Sequence, residues 1–136
     1  MSATTGFNQT AAASAIDNII AGGADIRLVT EQLEYGDGDA ELGTKEVTAG
    51  DYTVQTVAEA DWNVTFDAAN NTATLENANE IAYGEIENDW GTIVDFAIQD
   101  PGTDEFIIAD EPNNPELTTG EDVAFSAGAI SYTLGN

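Results

Sequence analysis

Carboxylates at alternate positions make residues 37–41 the first stretch whose side chains can do chemistry. Asp37, Asp39 and Glu41 lie in a glycine-rich segment. Hard cations such as calcium prefer several carboxylate oxygens on a bendable backbone, so this spacing is compatible with a cation site. The full calcium-loop pattern with its terminal glutamate is missing, and carboxylates two apart arise by chance in a chain this acidic. The pattern favours a solvated acidic loop without a cofactor, and a structural cation is the alternative.

Few other residues can support catalysis. The chain has no histidine and no cysteine, which removes the commonest general base, disulfides and thiolate metal sites. Lys45, the single lysine, is the one alternative base for a serine nucleophile. Paired carboxylates can hydrolyse glycosides, but a small β-domain rarely offers a cleft deep enough to desolvate one of the acids. We therefore expect a protein that is not an enzyme.

Two tryptophans are the candidate contact residues. Trp62 and Trp90 each follow an aspartate. A tryptophan at a strand entry packs in the core, serves as a carbohydrate platform or anchors an interface. Core packing is favoured for both, and both are kept as interface candidates.

Three Asn-x-Thr triplets match the acceptor pattern for N-glycosylation. They begin at Asn8, Asn63 and Asn70. Such triplets arise easily in a chain rich in Asn and Thr, so the sequence leaves glycosylation at each of them open.

The charge of the chain excludes two classes of partner and predicts a salty environment. The chain has 26 acidic residues and only two basic ones, Arg27 and Lys45, and its formal net charge is -24. Without a basic patch we expect no binding of nucleic acid or of an anionic membrane, and no apolar run approaches the roughly 20 residues of a membrane span. At molar ionic strength the Debye length falls to roughly 3 Å, so surface carboxylates hardly repel one another. The composition is typical of a halophile, and with so few cations we expect salt bridges not to hold the fold together.

Residues 89–100 are the centre of the predicted fold. Val94, Phe96 and Ile98 alternate with Asp95 and Ala97, which predicts a strand with one buried face. A proline and a glycine then predict a tight turn with a positive φ at the glycine, residue 102. Residues 106–109 (FIIA) form an apolar run expected to be buried on both faces and to pair with the first strand as a hairpin.

The remaining patterns predict one helix and several short strands. Alanine and isoleucine at helical spacing predict a helix over residues 11–20 that ends at Gly22 and packs on a sheet. Further strands are predicted at residues 25–30, 72–76, 80–84 and 123–134, the last with a change of face near Gly128. Residues 51–66 are predicted to form two strands or one bent strand, with a break at residues 59–61. The prediction is a mainly β protein, a single antiparallel sandwich or jelly-roll-like domain over residues 1–136, with one short N-terminal helix and a flexible arm at residues 1–7.

The last third of the chain carries motifs that resemble a known family. They are residues 89–92 (DWGT), 94–98 (VDFAI), 106–109 (FIIA) and 120–134 (GEDVAFSAGAISYTL). In order and spacing they resemble small virion proteins of tailed phages, of the tail-fibre, head-fibre or decoration type. Residues 50–52 (GDY) resemble the family's Gly-x-Tyr strand entry, although Thr53 stands where the family has an arginine.

The resemblance, together with the acidic composition, implies a structural protein of a tailed virus that infects haloarchaea. The first hypothesis is a capsid decoration protein that forms a symmetric homo-oligomer on the major capsid protein and aids host attachment. The second is a tail-fibre or baseplate component that binds a host-surface glycan or surface-layer protein. Expected partners are therefore other copies of the chain, the major capsid protein or another virion protein, and the host cell surface.

Overall fold

The structure, a computed structural model, describes residues 9–135 and confirms the predicted fold class, because these residues are mainly β and all strand pairs are antiparallel. The predicted arm at residues 1–7 and the acceptor Asn8 lie outside the described residues. The helices are α1 (Gln9–Ile20) and α2 (Asp39–Lys45), and a 3-10 turn spans Glu59–Asp61. The strands are β1 (Ala24–Val29), β2 (Gln55–Val57), β3 (Trp62–Asp67), β4 (Thr72–Asn77), β5 (Ile81–Glu85), β6 (Gly91–Thr92), β7 (Asp95–Gln99), β8 (Phe106–Asp110), β9 (Glu116–Leu117), β10 (Asp122–Phe125) and β11 (Ser131–Gly135).

Two larger sheets and two small ribbons make up the described fold. The larger sheets have the strand orders β2-β1-β7-β8 and β11-β4-β3, and the ribbons pair β10 with β5 and β6 with β9. Helix α1 packs on β7 of the first sheet and on β3, β4 and β11 of the second. Its buried side chains, such as Ile16, share one apolar core with Phe96 and Leu75 from the two sheets. The predicted helix and its packing on a sheet are confirmed, and Gly22 and Gly23 follow its end with φ of 81° and 98°.

The predicted hairpin of β7 and β8 is confirmed, but its burial is the reverse of the prediction. The register runs from Asp95 opposite Asp110 to Gln99 opposite Phe106. All five residues of β7 are buried, whereas β8 is mostly half-buried. β7 is central in its sheet and covered on both faces, and β8 is an edge strand. Alternation along the sequence does not reveal which strand will be central.

The turn between β7 and β8 also differs from the prediction. The residue with a positive φ is Asp104, at 65°, and not Gly102. The loop is closed by backbone hydrogen bonds from Asp100 N to Glu105 O and from Asp104 N to Asp100 O, at 2.8 and 2.9 Å. Asp100 also accepts from Gly102 N through its side chain, at 2.8 Å. Aspartate tolerates the left-handed conformation, so the turn closes without a positive φ at the glycine.

Helix α2 was not predicted, and it occupies the segment expected to be an acidic loop. Glu41 accepts a hydrogen bond from Gly38 N at 3.2 Å, which caps the first turn. Asp39 and Glu41 lie in that turn and Lys45 in the last one, where each charge is favourable to the helix dipole. Leu42 is buried and packs with Ala97 on the outer face of the first sheet. This contact is why β7 is covered on both faces.

The other strand predictions hold with two adjustments. Residues 52–54 are not in a strand, because β2 begins only at Gln55, and the 3-10 turn at Glu59–Asp61 separates β2 from β3 as expected. The predicted change of face near Gly128 is confirmed: β10 pairs with β5, β11 pairs with β4, and Gly128 between them has a φ of 81°. Among the described residues, no helix is long and apolar enough to cross a membrane.

Candidate functional site

The three candidate cation ligands each bind a different protein group. Asp37 accepts from Lys45 Nζ at 2.7 Å, and Asp39 accepts from Gln99 Nε2 at 2.8 Å and from Arg27 Nη1 at 3.0 Å. The third, Glu41, caps α2. Within residues 9–135 no group of three acidic side chains converges as a metal site would require. Asp37, just before α2, and Asp39, in its first turn, therefore bind the two cationic side chains, and Glu41 caps the helix.

Arg27, in the middle of β1, is the centre of a charged network that the sequence analysis missed. Its guanidinium binds Glu46 through Nε, at 3.0 Å, and through Nη2, which is a two-point ion pair. Nη1 also donates to Gln99 Oε1 at 2.7 Å. The hydrogen bond to Glu46 is the main cause of a raised Arg27 pKa. The guanidinium side chain is only 17% exposed and that of Glu46 only 11%, so water screens this pair weakly.

The same network extends into the core through Tyr52. Its hydroxyl donates to Glu46 Oε2 at 2.7 Å and accepts from Leu28 N at 3.0 Å. Burial is the main reason that the pKa of Tyr52 is strongly raised, so the phenol stays protonated and remains a donor. Tyr52 thereby joins the loop before β2 to β1.

The second cation, Lys45, is held as an ion pair and not as a base. Its ammonium donates to Asp37 Oδ2 at 2.7 Å and to Gln32 O at 2.9 Å. The hydrogen bond to Asp37 raises the pKa of Lys45 and lowers that of Asp37. A lysine that acts as a general base needs a lowered pKa, so the shift has the wrong sign for a serine–lysine pair.

Trp90 packs in the core, as the sequence favours, and its role as an interface contact stays a prediction. The residue is 5% exposed, and its ring makes edge-to-face contacts with Tyr52 and Tyr83, at centroid distances of 5.3 and 5.4 Å. Its indole Nε1 donates to Asp51 Oδ1 at 2.9 Å. Two of the motifs that carry the family resemblance, residues 50–52 and 89–92, therefore meet in space at Asp51 and Trp90.

The carboxylate of Asp51 accepts hydrogen bonds from several groups of one loop. It accepts from Glu87 N at 2.7 Å, from Trp90 Nε1 at 2.9 Å and from Asn88 Nδ2 at 3.1 Å. These donors, the backbone N–H of Glu87 first, lower the pKa of Asp51 to about 2. An aspartate in this role fixes the loop before β6 against the loop before β2.

Trp62 is also buried, at 6% exposure, and its Nε1 has no hydrogen-bond partner in the described part of the chain. It begins β3 and shares the core cluster with α1. The burial of its ring confirms the core packing that the sequence favours, and a role for Trp62 at an interface stays a prediction. The next residue, Asn63, is exposed, as is Asn70 in the turn that joins β3 to β4, so both described acceptor asparagines lie on the surface of one hairpin. Their glycosylation stays a prediction.

The surface that remains for a partner is acidic with few apolar side chains. Arg27 and Lys45 are the only cationic side chains of the chain, and both are engaged with Asp37, Asp39 and Glu46. The other carboxylates therefore have no cationic side chain to bind. The large apolar side chains that are exposed in the described residues are Tyr35, Val54 and Phe66.

The fold and the site define a mainly β protein. Its polar side chains join loops to one another, and its surface is acidic. A family model described as podophage GP4 fiber I protein gp80 matches residues 8–133. Because this match covers nearly the whole chain, the chain belongs to that family of phage fibre proteins. No curated protein and no solved structure matches the chain. The family confirms the resemblance to phage virion proteins and implies a structural role in the virion.

Proposed function

We propose that this chain is a non-enzymatic subunit of a fibre on the particle of a tailed virus, and that it works in high salt as a symmetric homo-oligomer. Membership of a phage fibre family, matched over residues 8–133, carries the proposal. The engagement of Lys45 by Asp37 and the separate partners of Asp37, Asp39 and Glu41 support a structural role for the polar groups that the sequence marked as reactive.

The high-salt environment is supported by the distribution of charge. The chain carries a net charge of -24, and its two cationic side chains are already paired inside the fold. In dilute buffer the remaining carboxylates repel one another, whereas molar salt reduces the Debye length to roughly 3 Å and removes most of that repulsion. A tailed virus of a haloarchaeal host provides such conditions during both synthesis and release.

The position of the fibre on the particle is proposed to be the capsid surface, with the oligomer seated on the major capsid protein and its outer end available to the host cell. A fibre on the tail that binds a host-surface glycan or surface-layer protein is the second candidate, and the family description, which names a fibre, is compatible with it. The two positions predict different copy numbers, because a capsid has many equivalent sites and a tail has few.

Purified particles test the proposal. We expect the chain in particles banded in a salt gradient, with antibody–gold labels distributed over the head. Labels confined to the tail would favour the second candidate, and absence of the chain from the particles would overturn both. Sedimentation of the isolated chain in molar KCl, repeated after dialysis to low salt, tests the homo-oligomer, which we expect to dissociate as the salt is removed.

A further inference from the structure

The second sheet ends at β3 in an edge that no other described strand covers. β3 pairs with β4 over all six of its residues, from Trp62 opposite Asn77 to Asp67 opposite Thr72. No second neighbour pairs with it within residues 9–135. Unpaired strand edges bind further strands unless charge, proline or a bulge prevents it. We call residues 62–66 of this strand, with their unpaired backbone groups, the β3 edge.

The hydrogen-bonding pattern shows which backbone groups of β3 point to this edge. Ala78 N donates to Asp61 O at 2.9 Å, which makes Asp61 a residue that bonds towards β4. Asn77 N, one residue earlier, donates to Ile130 O and so bonds towards β11 instead. Because bonding alternates along an antiparallel strand, the N–H and C=O groups of Trp62, Val64 and Phe66 point away from β4.

The β3 edge is neutral and partly apolar, unlike most of the surface. Residues 62–66 (WNVTF) contain no charged side chain in a chain of net charge -24. Phe66 is 56% exposed and Val64 is half-buried. A second copy of this chain repels the first wherever carboxylates meet, so a neutral strip is the place where two copies approach at least electrostatic cost.

We infer that the β3 edge binds the same edge of a second copy, antiparallel and across a two-fold axis at Val64. The inference rests on the homo-oligomer of the proposed function and names its contact surface. In this register Val64 exchanges two backbone hydrogen bonds with Val64 of the second copy. Trp62 lies opposite Phe66 of the second copy, which pairs two apolar residues. Asn63 lies opposite Thr65 of the second copy, which pairs an amide with a hydroxyl. The two three-stranded sheets become one sheet of six strands.

The same register makes the contact depend on salt. It places Asp61 opposite Asp67 of the second copy at each end of the neutral strip. Both carboxylates are exposed. Like charges directly opposite on neighbouring strands are destabilising, and salt screens them. The dimer is therefore closed in molar salt and loosened in dilute buffer.

An edge strand of the first sheet, β8, fits a second copy less well. Glu111 N donates to Val94 O, so the groups that point away from β7 belong to Phe106, Ile108 and Asp110. A two-fold axis at Ile108 would place the apolar Phe106 opposite the charged Asp110. β8 also packs beside β11. The β3 edge is self-complementary, and the β8 edge is not.

Two variants and two matched controls test the inference by sedimentation in molar KCl. Val64→Pro removes an N–H that points away from β4, so the ladder with β4 is kept while the pairing of the two copies is lost. Val64→Ala removes similar packing but keeps the N–H. Phe66→Asp places a charge on the edge, and Tyr35→Asp makes the same change at a fully exposed aromatic elsewhere.

We expect Val64→Pro and Phe66→Asp each to weaken self-association about tenfold or more, since each change acts twice in a two-fold contact. Val64→Ala and Tyr35→Asp should leave self-association within about threefold of wild type. An associated wild type that is unaffected by both edge variants, or equally affected by Val64→Ala and Val64→Pro, overturns the pairing alone and leaves the homo-oligomer intact. A wild type that is monomeric in molar KCl overturns the homo-oligomer as well.

Discussion

The guanidinium of Arg27 and the carboxylate of Glu46 form a two-point ion pair that joins β1 to the residue after α2. The same carboxylate accepts the hydroxyl of Tyr52, so three segments meet on one acid. Arg27 is one of only two cationic side chains in the chain, so this ion pair uses one of the two positive charges available. The expectation that salt bridges would not hold the fold together is therefore too general, because scarce cations act where they are shielded from water.

Replacement of Arg27 tests the importance of this pair. Arg27→Met keeps a long side chain but leaves Glu46 as a mostly buried carboxylate without its cation. We expect the free energy of unfolding to fall by about 2–4 kcal/mol. Urea unfolding in molar KCl, followed by tryptophan fluorescence, measures it. Arg27→Lys keeps the charge without the two-point geometry and should give an intermediate loss. A loss below about 0.5 kcal/mol for Arg27→Met would contradict the role of the pair.

A pH titration tests the carboxylate of Asp51. Its pKa in the fold is about 2, below the ordinary value of 3.8, because Glu87 N, Trp90 Nε1 and Asn88 Nδ2 donate to the ionised form. The stabilisation is therefore complete above the ordinary pKa and is lost as the pH falls through about 2. We expect the difference in Tm between wild type and Asp51→Asn to be largest above pH 3.8 and to close towards pH 2.

Fluorescence makes the Asp51 experiment specific to its site. The indole of Trp90 donates to this carboxylate, so the emission of the folded protein should change over the same pH range in wild type. Asp51→Asn should show no such change. A Tm difference that stays constant from neutral pH to pH 2 would argue that Asp51 acts by packing and not by charge.

The sequence was sufficient for the hairpin of β7 and β8 and for α1, because both depend on local patterns. It did not reveal that β7 is covered on both faces, because one of its covers is α2. The signals for α2 were present in Glu41, three residues after Gly38, and in Lys45 in the last turn. In so acidic a chain, carboxylates in the first turn carry little information by themselves.

The polar network was harder to predict, because its members are distant in the chain. Arg27 and Gln99 are 72 residues apart, and Trp90 and Asp51 are 39 apart. Only the register of β1 with β7 brings the first pair together. The environment of Asp95 was equally hard to predict from local sequence, because it depends on the place of this residue in a central strand. Asp95 lies opposite Asp110, and burial is the main cause of its raised pKa.

Two glycine substitutions should have effects of opposite sign. Gly128 has a φ of 81°, and an added Cβ would lie 3.1 Å from Glu76 Oε2, so Gly128→Ala should cost about 1–2 kcal/mol. Gly43 lies inside α2, and an added Cβ there meets no atom within 4 Å, so Gly43→Ala should stabilise by about 0.5–1 kcal/mol. Urea unfolding of both variants under one salt condition is the measurement. The same sign for both would contradict the turn at Gly128 or the helix at Gly43.

Salt should act on a like-charged pair that crosses the ribbon of β5 and β10. Glu85 and Asp122 lie directly opposite each other, and both are exposed. Glu85→Lys turns repulsion into attraction, and Glu85→Gln only removes the repulsion. We expect both variants to raise Tm in dilute buffer, Glu85→Lys by more, and we expect the gain to shrink in molar KCl, where the Debye length is roughly 3 Å. Thermal unfolding of the three proteins at both salt concentrations measures this. An equal gain in Tm at both concentrations would mean that packing and not charge is responsible. The absence of any gain in dilute buffer would show that repulsion between Glu85 and Asp122 does not contribute to the need for salt.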